Sequence, residues 1–243
     1  MIGGKRFLAM ALTVLSVAVW AAGSAAAQAA EGRVKLLYVG HGGHDWKGFA
    51  ALLGDLLDKT GDFDMTVAEG LDDLKAENLK KYDMVLFYGS GRNFTDPAQE
   101  QGLNAFVRGG GGLAGVHATD SFKQSDVYWH LMAGRFTTHG GGKFPVVIVD
   151  KKHPITAGIE DFEISDETYA NKFHEKAQIH SLVRCNRGKE QQTMGWVQQI
   201  DKGRVFNTTL GHGKAAWDNP AFQRLVVRGL YWAAGPKPKN HKR

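Results

Sequence analysis

"GGGGLAGVHATDSF", residues 109–122, decides the fold: a glycine run feeds an apolar stretch that stops abruptly at a histidine, a threonine and an aspartate. Gly110, Gly112 and Gly115 have the spacing of a dinucleotide-binding loop, but that loop must follow a strand and open a helix. Here the helical pattern of Asp96 to Arg108 comes first and "GLAGVHA" reads as the strand. The stretch is therefore a helix returning to a strand of a parallel sheet, and nucleotide binding is set aside.

The same rhythm extends upstream. "RVKLLYVG" reads as a strand, "DWKGFAALLGDLLDKT" as a helix and "FDMTVAEG" as a second strand, followed by a short helix near Leu71 to Lys80 and the strand "YDMVLFYGS". Alternating strands and helices imply a parallel sheet covered on both faces. Downstream, a helix from Asp126 to about Met132 gives way to shorter, more polar strands, "FPVVIVD", "FEISDETYANKF" and "HSLVRCN". "TMGWVQQIDKGRVFNTTL" reads as a hairpin turning at Asp201 to Gly203, and a helix from Pro220 to Ala234 closes the domain. The expectation is a mostly parallel α/β sheet with antiparallel edge strands.

Residues 1–30 read as a secretory signal peptide: a basic start, the apolar run "FLAMALTVLSVAVW" and a small-residue tail, with cleavage after Ala27 or Ala29. That run is shorter than the roughly 20 residues of a membrane span, so an exported, periplasmic or secreted protein is expected. Residues 31–235 form one α/β domain, and residues 236–243 a basic, disordered tail. The formal charge of +5 is carried by these two ends, so it is no sign of a nucleic-acid partner. Cys185 is the single cysteine, which excludes an intrachain disulfide and a cysteine zinc cluster.

Glycine supplies 31 of 243 residues, and its excess gathers at strand ends in "GHGG", "YGSG", "HGGG" and "LGHG". Ligands of open parallel sheets bind outside the carboxyl ends of the strands, which makes these ends the expected site. His117 stands at one of them, where α/β hydrolases hold a nucleophile, but no Ser or Cys occupies the spot. His41 and His44 follow the first strand, and His212 follows "RVFNTTL". His139 and the acidic pair Asp166 and Glu167 would complete the site from loops. His41, Asp45, Trp46, Thr119, Asp120, His139 and Trp217 are expected to contact substrate. A single site requires His44, His117 and His212 within about 12 Å of one another, since catalytic groups must reach one reacting centre.

Two chemistries suit this set. A divalent metal held by His44, His117 and His212 would polarise a carbonyl or acidify a bound water. In metal-free acid/base catalysis, His117 or His44 would take a proton while Asp120 or Glu167 orients the base or returns the proton. Trp46, Trp129, Trp196 and Trp217 lie near these loops and suit either sugar stacking or core packing.

The segments "GGHDW", "FVRGGGGLAGVHATDSF", "YWHLMAGRFTTHG", "HPITAGIEDFEISDETY" and "GRVFNTTLGHGKAAWDNPAFQRLVVRGLYWAAG" resemble the ThuA-like family, named for trehalose utilisation. The resemblance implies a flavodoxin-like, class I glutamine amidotransferase-like three-layer sandwich. It singles out His44, His117, His139, Glu167 and His212. His212 falls where the amidotransferases carry their catalytic histidine and His117 where their nucleophilic cysteine would be, so their thiolate chemistry is not expected. The resemblance further implies carbohydrate catabolism: hydrolysis, elimination or epimerisation of a glycoside or a 3-keto-glycoside made by a partner sugar dehydrogenase. A non-catalytic sugar-binding module and a purely structural protein are the alternatives.

Overall fold

The computed structural model describes residues 32–187 and 190–236. Residues 1–30, expected to be a signal peptide, and the tail beyond residue 236 lie outside the described residues. The described chain forms one nine-stranded sheet in the order β2-β1-β3-β4-β9-β8-β7-β5-β6.

Its first half is built from β1 (Val34–His41), α1 (Trp46–Asp58), β2 (Phe63–Val67), a 3₁₀ turn (Leu71–Leu74), α2 (Ala76–Leu79), β3 (Met84–Gly89), α3 (Pro97–Gly109) and β4 (Gly112–Val116). Strict alternation sorts its side chains. Leu36, Tyr38, Met84, Leu86 and Tyr88 face α1 and the last helix, whereas Leu37, Val39, Val85, Phe87 and Leu113 face α3 and its neighbours. Burial on both faces is what makes these strands apolar throughout. The helix before the deciding stretch is sharply delimited. Asp96 and Gln99 form a reciprocal capping box, Pro97 opens the first turn, and Gly110 at φ 117° ends the helix in a conformation that penalises a Cβ.

The second half comprises α4 (Asp126–Met132), β5 (Gly134–Ile148), β6 (Phe162–Phe173), β7 (His180–Arg187), β8 (Glu190–Ile200), β9 (Gly203–Thr208), α5 (Lys214–Trp217) and α6 (Pro220–Ala234). β9 lies parallel to β4 and antiparallel to β8, so it joins the two halves. The order 2-1-3-4 followed by β9 is the flavodoxin-like arrangement.

Two expectations need correction. The antiparallel part is not an edge: β9–β8, β8–β7, β7–β5 and β5–β6 are all antiparallel, and they equal the parallel pairings in number. The reason lies in the connections, since the two residues between β8 and β9 cannot make the crossover that parallel strands need. His139, Asp166 and Glu167 also do not lie on loops. β5 begins at Gly134, runs through the glycines of "THGGGK", and pairs with β6 from Gly134↔Phe173 to Val146↔Phe162. No helix of the described residues is long and apolar enough to cross a membrane.

Candidate functional site

His117 follows β4 directly, with φ 52°, a left-handed backbone that non-glycine residues rarely adopt and that recurs at functional turns. Its amide donates to the Thr208 carbonyl over 2.8 Å, which ties the turn to the end of β9. The ring is fully buried. Nδ1 is 2.8 Å from the Thr209 carbonyl oxygen, and a carbonyl can only accept, so Nδ1 carries the proton. Nε2 is left with its lone pair, onto which the Tyr169 hydroxyl donates over 2.8 Å. Burial lowers the imidazole pKa to about 3, so the ring is neutral at physiological pH.

The other rings meet it. His212 Nδ1 is 3.3 Å from His117 Nε2. The His44 ring centroid lies 4.7 Å from that of His117 and 4.9 Å from that of His212. Glu167 Oε2 stands 3.3 Å from His212 Nδ1 and 3.6 Å from His117 Nε2, while Oε1 is 3.4 Å from His139 Nδ1. Although β6 is the last strand of the ladder, its Glu167 and Tyr169 reach the histidines that follow β4 and β9. His139, on β5, forms the exposed outer margin.

The turn bearing His212 is held from several directions. Asp166 accepts from the amides of Gly211 (2.6 Å), His212 (3.0 Å) and Glu167 (2.9 Å). Tyr88 Oη and Trp217 Nε1 donate to the Gly211 carbonyl over 2.9 and 3.1 Å. Gly211 takes φ 110°, where a side chain would be strained. Burial pushes the Asp166 carboxyl up to about 6 against the downward pull of its three amides. Burial, then His212, lowers the basicity of His44, and both His44 ring nitrogens are buried with no hydrogen-bond partner among the described residues.

The remaining sequence candidates divide. Trp217 is buried and positions the His212 turn through its indole rather than facing the rim. Asp45 caps α1, accepting from the Gly48 amide over 3.0 Å. The Trp46 carbonyl accepts from Tyr38 Oη over 2.9 Å, and its ring lies beneath Lys47. Thr119 donates to Asn171 Oδ1 over 2.9 Å, and Asp120 pairs with Lys123, acting on His44 only through space. Tyr169 was missing from the sequence reading. Its signal was available: it lies two residues beyond Glu167, on the same face of a strand.

A model of the family described as "ThuA: Trehalose utilisation" matches residues 33–233, nearly all of the chain outside its two ends. The chain belongs to the ThuA family. Two ThuA-like proteins of known structure are similar to it. One, from Parabacteroides merdae ATCC 43184, has a TM-score of 0.74 at 19% identity, over 86% of this chain and 93% of its own. The other, from Bacteroides uniformis ATCC 8492, has a TM-score of 0.69 at 16% identity, over 83% and 91%. A β-galactosidase from Rahnella sp. R3 shares the fold at a TM-score of 0.58 and 12% identity, over 82% of this chain but 31% of that one. No curated protein matches the chain. ThuA membership relates this protein to carbohydrate metabolism.

In this ThuA chain His41 stands apart from the cluster. Its buried ring lies edge-on to Phe122 at 5.2 Å, on the α3 side of the sheet. Burial, reinforced by Arg92, lowers its pKa to about 4. Unfolding restores a value near 6.5, so between pH 6.5 and 4 the unfolded chain binds a proton that the fold refuses. The stability that His41 contributes is full above pH 6.5 and is lost as pH falls through 4, by about 3 kcal/mol in all. Urea unfolding at pH 7 and pH 4.5 should show this loss, with His41→Leu removing about one proton from the uptake on unfolding. An unchanged pH slope in that variant would show that His41 is not the group responsible.

Proposed function

We propose that this ThuA protein is an exported enzyme of carbohydrate catabolism acting on a glycoside or its 3-keto derivative. The observation that carries this reading is the convergence of His44, His117 and His212 with Glu167 at the carboxyl ends of β1, β4 and β9. A ketone at C3 of a sugar acidifies the C2 proton. A neutral imidazole nitrogen removes that proton, and the electron pair enters the carbonyl as an enolate. Fixed donors stabilise the enolate oxygen. Its collapse breaks the bond from C1 to the aglycone oxygen, which takes a proton from Glu167. In this scheme His117 and His44 are base or metal ligand, Glu167 is acid or ligand, and His212 stabilises developing negative charge. A sugar dehydrogenase supplies the ketone, and the apolar leader fits processing of scavenged glycosides outside the cytoplasm.

The test follows glucosides and 3-keto-glucosides by proton NMR in D₂O, first with added divalent metal and then with chelator. Exchange at C2 or release of the aglycone is the expected result, whereas no change in any sugar would remove the proposed activity. A second reading, an accessory sugar-binding module, is favoured by the β-galactosidase in which this fold makes up under a third of the chain. It predicts line broadening of the sugar without chemical change.

A further inference from the structure

We propose that His44, His117 and His212 form a binding site for a divalent first-row transition metal ion, flanked by Glu167. Their ligand atoms all lie within 4.8 Å of one another. One pair, His117 Nε2 and His212 Nδ1, is 3.3 Å apart. Two imidazole nitrogens each about 2.0–2.1 Å from a tetrahedral ion stand roughly 3.4 Å from each other. This pair therefore already has the spacing of two ligands on one ion, which would replace the Nδ1–H···Nε2 hydrogen bond that two neutral rings make at that distance.

Three further features point the same way. Both ring nitrogens of His44 are buried without a hydrogen-bond partner among the described residues, a cost that coordination removes. His117 donates Nδ1–H to a main-chain carbonyl, the outer contact that metal-ligating histidines commonly make and that aims Nε2 inward. The main chain that carries His212 is fixed by the Asp166 carboxylate through two amides. Glu167 Oε2, within 3.6 Å of His117 Nε2 and His212 Nδ1, offers a carboxyl oxygen as a fourth ligand. Imidazoles with one carboxylate suit zinc, nickel, iron or cobalt rather than calcium or magnesium.

The Tyr169 hydroxyl donates to the same Nε2 lone pair, so an ion must displace that hydrogen bond. Tyr169→Phe should then leave the affinity intact or raise it, an outcome opposite to that expected if Tyr169 and His117 simply form a structural hydrogen-bonded pair.

The experiment uses the untagged, chelator-stripped protein without sugar, so its result is independent of the catalytic reading. Zn²⁺ is titrated against a chromophoric chelator, and Co²⁺ is added separately for its visible absorption. One ion per chain with a Kd below about 1 µM is expected, with an intense Co²⁺ band of low coordination number. His44→Ala and His212→Ala, which avoid the strained and fully buried His117, should each weaken binding by about 100-fold or more. His180→Ala, whose ring pairs with Asp150 elsewhere, should bind as the parent does. Failure to hold one ion at that affinity, or binding that survives unchanged in both cluster variants, overturns the site.

Discussion

His117→Asn is expected to lower turnover of the responsive sugar by about 10²–10⁴-fold, the usual range for removing a positioned acid or base. Asparagine is chosen because it is among the few residues that tolerate the left-handed backbone of position 117, at φ 52°. The variant removes Nε2, the atom that Tyr169, His212 and Glu167 surround, while leaving the turn able to form. Stability should fall by only about 1–3 kcal/mol, since the Thr209 carbonyl and the Tyr169 hydroxyl lose a buried partner. Near-ultraviolet circular dichroism and thermal melting distinguish loss of chemistry from loss of fold. Full activity in a folded His117→Asn protein would remove His117 from the mechanism.

The largest effect on stability is expected at Asp166. Asp166→Ala takes away the acceptor of the Gly211 amide, which is buried, and of the His212 amide beside it. Each orphaned amide costs about 1–3 kcal/mol, so the variant should lose roughly 2–5 kcal/mol. For a domain of this size that is a fall in Tm of about 5–15 °C. Asp166→Asn keeps one acceptor oxygen and should lose about half as much. Because the same amides seat the His212 ring, Asp166→Ala should also lose activity at temperatures where it is still folded. A melting temperature within about 2 °C of the parent would show that the turn does not depend on this carboxylate.

The parallel half was legible because its signals are local. Strands such as "YDMVLFYGS" are apolar on both faces, and Asp96, Pro97 and Gly110 delimit their helix chemically. His44, His117 and His212 could be named from strand-end position alone, since a parallel sheet directs all such ends to one rim. β5 was harder to read. Its segment "THGGGK" carries neither the alternation nor the branched side chains of a strand, and its pairing with β6 is a property of the hairpin rather than of either sequence. Thr209 could not be found by any pattern, because it acts through its carbonyl. The role of Asp166 was likewise hidden, because its partners are main-chain amides 45 and 46 residues away.

The place of β9 between β4 and β8 carries a consequence for how the chain acquires its shape. β4 is complete by residue 116, yet the strand that pairs with its free side begins at Gly203. Until nearly the whole chain has been synthesised, β4 is an unprotected edge with apolar residues on both sides, open to pairing with another nascent copy. Closing so long a loop is entropically slow, so β9 insertion should be the late event of folding. His44, His117, Glu167 and His212 come together only at that step, which makes the assembled cluster a report that folding has finished.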